Sequence, residues 1–253
     1  MGRVNARGFV TLVDYETRRW TRQPLQYIAA PAVNTLLLFT VFRLALPDVG
    51  AAGGLAAFVV PGLTMMVVLH TAFETTAWSI IDLKVRGTIV DLLMPPLGTL
   101  ELAVAFALNG ALRGITVGAL VLALMAPIAG LGVDRPAAAA AFAAGGALAL
   151  ALAGIVVGVE AVKFDHVATL ENFIVVPLAF LSGSFYAVGD LAEPWRSLSF
   201  ANPLFHAVDG FRAALGGAAQ GGMGVAAAVV AGAVLVLGAL AWHRLARSPK
   251  LRP

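Results

Sequence analysis

Long apolar stretches follow one another along the chain, separated by short polar segments. About 20 apolar residues are enough to cross a bilayer as an α-helix. By this measure the sequence predicts six membrane-spanning helices, numbered here spans one to six. They cover Leu25–Leu46, Leu55–Ser79, Leu102–Met125, Ala137–Val159, Leu170–Phe185 and Met223–Trp242. Span five is short, and the segment after it is too rich in polar residues, Gly and Pro to cross as one helix.

The residues before span one show the spacing of an amphipathic helix. One face would carry Phe9, Leu12, Val13 and Trp20, and the other Arg18, Arg19 and Arg22. Residues 1–24 are therefore predicted to form an interfacial helix at the cytoplasmic surface, with Trp20 at headgroup depth. The alternative is a polar tail with a frayed helix.

The segment between spans five and six contains a good helix start. Asn202 and Pro203 suit the N-cap and first helical positions. The helix that follows would place its apolar residues on one side, namely Leu204, Phe205, Val208, Phe211 and Leu215. We expect short outer re-entrant helices that dip into the bilayer edge. A loop lying on the headgroups is the alternative.

Composition supports a membrane protein with one domain. Of 253 residues, 60% are hydrophobic and 12% charged, and the mean hydropathy is +0.88. Soluble domains carry about 25% charged residues, and disorder requires low hydrophobicity. The fold class is therefore an all-α integral membrane protein. Its single domain, residues 1–253, comprises the interfacial helix, a six-span bundle over 25–243 and a basic tail over 244–253.

The distribution of Lys and Arg predicts the orientation. Twelve of the 17 basic residues fall on the side that holds both termini, four on the other side, and Arg113 within span three. Cytoplasmic loops carry the excess of Lys and Arg, so both termini are expected in the cytoplasm. The net charge is only +3. Because the basic residues follow this topology, they do not indicate nucleic-acid binding.

Known catalytic and metal-binding patterns do not occur in the sequence. The chain has no Cys, and its four His are widely spaced, which argues against a metal site. It has neither a GxxxxGK[ST] phosphate loop nor a GxSxG motif. We therefore expect no enzyme activity and no ATP hydrolysis by this chain alone.

Arg113 is a charged residue near the middle of span three. A charge there costs roughly 2.5–3.5 kcal/mol on insertion scales, so it should face protein or water. Asn109 lies one turn away on the same face, and Glu74 of span two is a possible ionic partner. A structural ion pair and a role in a substrate path both remain open.

Small residues form ridges on spans three and four. They are Gly110, Gly114 and Gly118 on one helix, and Gly154 and Gly158 on the other. Such ridges allow helix backbones to approach closely. They can serve packing within one protomer or a dimer interface.

The segment after span two has helical spacing and an i, i+4 ion pair, Asp82 with Arg86. Pro95 and Pro96 would end this helix. A short amphipathic helix parallel to the membrane could dock into a cytoplasmic partner. A plain connector is the alternative.

Together these features resemble the permease subunit of type-2 ABC exporters. The resemblance rests on five motifs that run in family order across nearly the whole chain. They are FVVPGLTMM (Phe58–Met66), RGTIVDLLMPPLGTLELA (Arg86–Ala103), Phe164–Asp165, PLAFLSGSFYAV (Pro177–Val188) and NPLFHAVDGFR (Asn202–Arg212).

The resemblance implies an assembly in the bacterial inner membrane. Two permease copies would pair and bind separate ATP-binding cassette ATPase subunits, which would hold ATP and Mg²⁺. Residues Ile80–Met94 would form the main coupling helix, assisted by Glu160–Thr169. The coupling candidates are Asp82, Lys84, Arg86, Asp91, Lys163 and Asp165. Spans one, two and five would line the path.

The path candidates are Met65, Met66, Phe73, Glu74, Asn109 and Arg113. Because the first three are apolar and no ring of charge is visible, an amphipathic or lipid-linked substrate is favoured over a small ion. The alternatives are a secondary transporter and a membrane scaffold without an ATPase. A secondary transporter would be expected to have intramembrane carboxylates or inverted repeats.

Overall fold

The computed structural model describes residues 5–45, 54–89 and 98–247, and within these ranges the regular elements are helices. Helices α1 to α10 cover Ala6–Thr21, Ala30–Ala45, Gly54–Val85, Thr99–Ala129, Pro136–Glu160, Phe164–Leu170, Val176–Phe180, Trp195–Ala201, Pro203–Ala214 and Met223–Arg247. Two π-helical turns, Leu25–Ala29 and Glu171–Val175, lead directly into α2 and α7. A short 3₁₀ turn covers Val188–Asp190.

Five helices of the described part are long and apolar enough to cross a membrane. They cover Leu25–Ala45, Phe58–Val85, Thr99–Ala129, Pro136–Glu160 and Met223–Arg247. These correspond to predicted spans one, two, three, four and six. Helices α3, α4 and α10 extend three or more residues beyond a predicted end.

Helix α3 continues six residues beyond the predicted end of span two. It continues to Val85, so Ile80 and the residues after it belong to the long helix and not to a separate coupling helix. Ile80 and Ile81 are buried, and Ile80 packs against Gly158 of α5. This packing explains the continuation. The prediction of a separate helix is therefore wrong for Ile80–Val85, the chain turns over residues 86–88, and residues 90–94 lie outside the described residues.

Predicted span five is one helical path from residue 164 to 180, formed by α6, a π-helical turn and α7. This path is about 25 Å long, somewhat shorter than a typical hydrocarbon core of about 30 Å. It ends before the predicted Phe185, because the chain turns at Ser182–Ser184 and Gly183 adopts a φ of +69°. The crossing of span five, and with it the count of six, stays a prediction.

Helix α3 lies at the centre of the bundle between α4 and α5. The glycine ridges make this possible: a Cβ on Gly114 would lie 2.6 Å from the Val68 carbonyl oxygen, and one on Gly154 would lie 2.5 Å from that of Phe73. Both ridges therefore face α3. They serve packing within the protomer, the first of the two interpretations.

The outer segment is folded into the bundle. The Asn202 side chain accepts a hydrogen bond from Leu204 N–H, and Pro203 begins α9, as the sequence predicts. All five apolar residues expected on one side are buried. The Arg212 guanidinium lies 3.7 Å from the centre of the Phe58 ring and donates to the Gly183 carbonyl at 2.7 Å. Helix α9 is thus held against α3 and the end of span five, and its depth in a bilayer stays a prediction.

Candidate functional site

Helix α1 docks onto the bundle through polar as well as apolar contacts. Trp20 is buried, and its indole N–H donates to Asn109 Oδ1 at 2.9 Å. The Arg19 guanidinium donates to Asp82 Oδ2 at 2.9 Å and to Ser79 Oγ at 3.1 Å. Trp20 therefore binds α4 within the protein, where a headgroup-facing position was predicted, and Arg19 turns inward because Asp82 offers it a carboxylate.

The remaining interfacial arginines stay at the surface. Arg18 forms an exposed ion pair with Asp14 at 2.8 Å, and Arg22 is exposed. The backbone N–H of Asn5 donates to Glu101 Oε1 at 2.8 Å, which fixes the start of α1 beside the start of α4. Between the Asn5–Glu101 contact and the Trp20–Asn109 contact, the chain rises about 22 Å along α1 but only about 12 Å along α4. Helix α1 is therefore inclined along α4.

Two adjoining cavities lie between α1 and spans one, two, three and five. The inner cavity has a volume of about 450 Å³ and the outer one about 290 Å³, and Pro31, Asn34 and Glu74 line both. The inner cavity is rich in polar side chains, among them Glu16, Arg19, Asn34, Glu74, Asn109 and Arg113. The outer cavity is mostly apolar, with Leu38, Leu63, Met66, Val67, Val176 and Ala179 in its wall.

The Arg113 guanidinium forms part of the inner cavity wall. Its Nε donates to the Tyr27 carbonyl at 3.1 Å, and its Nη1 donates to Thr75 Oγ1 at 3.1 Å. The Tyr27 carbonyl is available because Pro31, four residues later, has no N–H to donate. The Tyr27 ring also lies 4.9 Å from the guanidinium carbon.

Glu74, the possible ionic partner of Arg113, pairs with His70 instead. Among the described residues, His70 is the basic residue within 4.0 Å of the Glu74 carboxylate, at 3.8 Å. The Arg113 guanidinium instead donates hydrogen bonds to the Tyr27 carbonyl of span one and the Thr75 hydroxyl of span two. The charge is thus accommodated at the cavity wall.

Glu16 is the deepest charged group of α1. The residue is 1% exposed, and its Oε2 accepts from Ser79 Oγ at 3.0 Å. Within the described residues, Oε1 has no hydrogen-bond partner. Burial raises the pKa of the Glu16 carboxyl above its ordinary value, and the nearby Arg19 charge opposes that rise.

A second polar cluster lies at the junction of the cavities with span five. His70 Nε2 lies 2.9 Å from Glu171 Oε1, and His70 Nδ1 lies 3.8 Å from Glu74 Oε2. Trp78 Nε1 donates to Glu171 Oε2 at 3.1 Å. One ligand atom from each of the His and the two Glu lies within 4.8 Å of the others, close enough to hold a metal ion. This cluster was not predicted from the sequence, although the i, i+4 spacing of His70 and Glu74 is a signal for it.

The path candidates separate into two groups. Met66, Glu74, Asn109 and Arg113 line a cavity. Met65 and Phe73 do not belong to either lining: both are fully buried in the apolar cluster that joins α3 to α5 and α9. Apolar side chains of α5 and α9 enclose both residues, so the structure gives them a packing role.

The coupling candidates near the end of α3 are tied to neighbouring helices. Asp82 pairs with Arg86 at 2.7 Å, as predicted, and with Arg19. Lys84 Nζ donates to the last carbonyls of α5, at 3.3 Å to Gly158 and 2.6 Å to Val159, and to Ala161.

The remaining coupling candidates lie on the surface or outside the described residues. Lys163 and Asp165 are exposed at the start of α6. Because Lys84 holds the end of α5, the α5–α6 connection lies beside the end of α3. Asp91 lies outside the described residues.

Comparisons with known proteins give the family. Residues 7–215 match the family model described as ABC-2 type transporter. The inner membrane transport permease YadH of Escherichia coli K12 is 32% identical to the chain over 200 residues, covering 78% of each protein. The YadH permease of Shigella flexneri matches with the same identity and coverage. With its all-helical bundle of apolar helices, the chain belongs to the ABC-2 type transporter family.

Proposed function

We propose that the chain is the membrane-spanning subunit of an ATP-driven exporter that moves an amphipathic or lipid-linked substrate outward. It would work as a pair of copies in the bacterial inner membrane, with both termini in the cytoplasm. A separate ATP-binding cassette subunit would bind ATP and Mg²⁺. The chain itself would then be non-catalytic.

One observation carries the substrate class: the two joined cavities differ in polarity along the bundle. The polar inner cavity adjoins α1 and the proposed cytoplasmic ends of the helices. The apolar outer cavity is lined by spans one, two and five. A polar head in the first and an apolar tail in the second would each meet a matching wall, since polar groups need hydrogen-bond partners when buried.

The ends of α3 and α5 supply the proposed coupling surface. Lys84 of α3 links the two ends because its ammonium donates to the carbonyls of Val159, in the last turn of α5, and Ala161, just after it. The Trp78 ring stacks on Phe164 with a centroid separation of 5.9 Å. A push on the exposed Arg86 or Asp165 would therefore reach α3, α5 and α6 together, and α3 lines both cavities. ATP can drive transport only if the two states differ in their ATPase contacts.

A pull-down followed by activity measurements tests this function. The tagged chain is purified in mild detergent, and co-purifying proteins are identified by mass spectrometry. A stoichiometric ATPase partner with vanadate-sensitive turnover is expected. If the chain purifies without an ATPase partner and still supports substrate flux, the result would contradict the ATP-driven exporter and favour a secondary transporter. Clean chain without flux would favour a scaffold.

Charge reversal at the coupling surface has a matched control. Arg86 and Arg18 both form exposed i, i+4 ion pairs with an Asp, at 2.7 and 2.8 Å. Arg86→Glu should abolish stimulation of the ATPase by the permease, whereas Arg18→Glu should leave it intact. Equal stimulation in both variants would refute the coupling role of Arg86.

Filling the outer cavity tests the path. Met66→Trp places a large ring in the lining and should reduce transport several-fold while the partner ATPase still binds. Leu235→Trp on the exposed face of α10 is the control and should transport normally. Unchanged transport by Met66→Trp would show that the substrate does not use this cavity.

A further inference from the structure

We propose that His70, Glu74 and Glu171 form a binding site for a divalent transition-metal ion of the Zn²⁺ class. The proposal concerns metal binding by this chain and is independent of whether the chain exports its substrate with an ATPase. It departs from the sequence expectation of no metal site.

The donor set suits such an ion. Imidazole nitrogen and carboxylate oxygen are common ligands of Zn²⁺ and its first-row neighbours. His70 and Glu74 are one turn apart on α3 and so project from the same face. Glu171 reaches them from span five, and the three ligand atoms lie within 4.8 Å of one another. A small movement of the side chains would bring each to a bond length of about 2.0–2.2 Å from one ion.

The Glu171 carboxylate is held by a second residue. Trp78 Nε1 donates to Oε2 at 3.1 Å, which leaves Oε1 directed at His70. Hydrogen bonds of this kind orient the ligands of metal sites and raise affinity. Trp78 is itself fixed by its stacking on Phe164.

The backbone at Glu171 sets the position of its carboxylate. Glu171 is the first residue of the π-helical turn Glu171–Val175. Pro177 lies two residues after this turn, as Pro31 does after the turn Leu25–Ala29, and its missing N–H accounts for the irregular backbone. The turn places Glu171 beside α3 while the rest of the helix continues along span five.

The surroundings leave room for a fourth ligand. His70 and Glu74 both line the outer cavity of about 290 Å³, so water or a polar group of a substrate can complete the coordination. Arg113 lines the adjoining inner cavity, where its guanidinium donates to Tyr27 and Thr75. A bound ion would tie α3 to the Phe164–Phe180 path.

The test is a Zn²⁺ titration of the full chain. The protein is purified through a tag without histidine, placed in detergent or nanodiscs, stripped with a chelator and titrated against a chromophoric zinc indicator. We expect one Zn²⁺ per chain. His70→Ala and Glu171→Gln should each weaken binding by at least about ten-fold, and Co²⁺ should give a visible absorption band that both variants lose.

Two further variants make the result decisive. His243→Ala removes an exposed His elsewhere and should bind Zn²⁺ as the unchanged chain does. Trp78→Phe keeps all three ligands but loses the hydrogen bond to Glu171, and should weaken binding roughly ten-fold or more. If His70→Ala fails to elute as a single folded species, the Zn²⁺ affinity of Trp78→Phe decides whether the three residues bind the ion.

The proposal is overturned if the chain takes up no Zn²⁺ beyond that taken up by His70→Ala. It is equally overturned if all four variants bind Zn²⁺ alike, because binding would then be at some other place. In either case the cluster is an ion-pair network that joins the two spans through His70.

Discussion

Gly154→Ala tests whether the glycine ridge of α5 sets the distance to α3. A Cβ at this position would lie 2.5 Å from the Phe73 carbonyl oxygen and closer still to Thr76 Oγ1. Ordinary contacts of a Cβ are 3.4–4 Å, so the two helices must part by roughly 1 Å to admit one methyl group. The substitution therefore perturbs the centre of the bundle.

The expected cost follows from three terms. Over-packing of a tight interface costs about 1–3 kcal/mol. Parting the helices also breaks the hydrogen bond from Thr76 Oγ1 to the Ala151 carbonyl, now 2.8 Å, and such interhelical bonds in membranes contribute about 0.6 kcal/mol. The higher helix propensity of Ala relative to Gly offsets up to about 1 kcal/mol of this cost. The net loss is about 1.5 kcal/mol, or roughly ten-fold in the unfolding equilibrium.

The assay is unfolding by SDS titration in mixed micelles, followed by circular dichroism. Gly232→Ala on α10 is the matched control, because a Cβ there has no atom within 4 Å. It should be neutral or stabilising by up to about 1 kcal/mol. Equal shifts for the two variants would refute the argument that close backbone approach makes Gly154 necessary.

Three other substitutions probe polar contacts of the bundle. Lys84→Met keeps the aliphatic stem but removes the ammonium from the carbonyls at the end of α5, and should cost about 1–3 kcal/mol in the same SDS titration; an unchanged midpoint would contradict it. In Arg113→Lys, the ammonium lacks the planar fork that lets the guanidinium donate to both the Tyr27 carbonyl and Thr75 Oγ1, so a similar loss of stability is expected. Unchanged stability would show that one of the two hydrogen bonds is dispensable. Because burial raises the pKa of Glu16, the folded state binds its proton more tightly, so stability should fall as pH rises from the ordinary value of 4.5 through the raised one. Glu16→Gln should remove this component of the pH dependence when the midpoint is measured from about pH 4 to about pH 8, and an unaltered slope would contradict it.

Local patterns in the sequence are sufficient to predict the class of the protein and most of its helices. Spans one to four and six follow from runs of apolar residues, because the bilayer accepts a helix on hydropathy and length alone. The cap at Asn202 and the pair of Asp82 with Arg86 join residues within one turn. Such features depend on near neighbours in the chain, and spacing is sufficient to predict them.

The contacts that each helix face makes depend on long-range packing and could not be predicted from spacing. Periodicity places Met65 and Met66 in the same helix, but the neighbours of α3 assign one to the core and the other to the outer cavity. Trp20 was expected at the headgroups, yet it bonds Asn109, 89 residues away.

The His70–Glu74–Glu171 cluster has the same origin. It needs span five to lie beside α3, and Trp78 and Glu171, its bonded pair, are 93 residues apart. Sequence spacing defines the face on which a side chain lies. Only the packing of distant helices determines what that face contacts, because close packing in a bundle is set jointly by all the helices that share an interface.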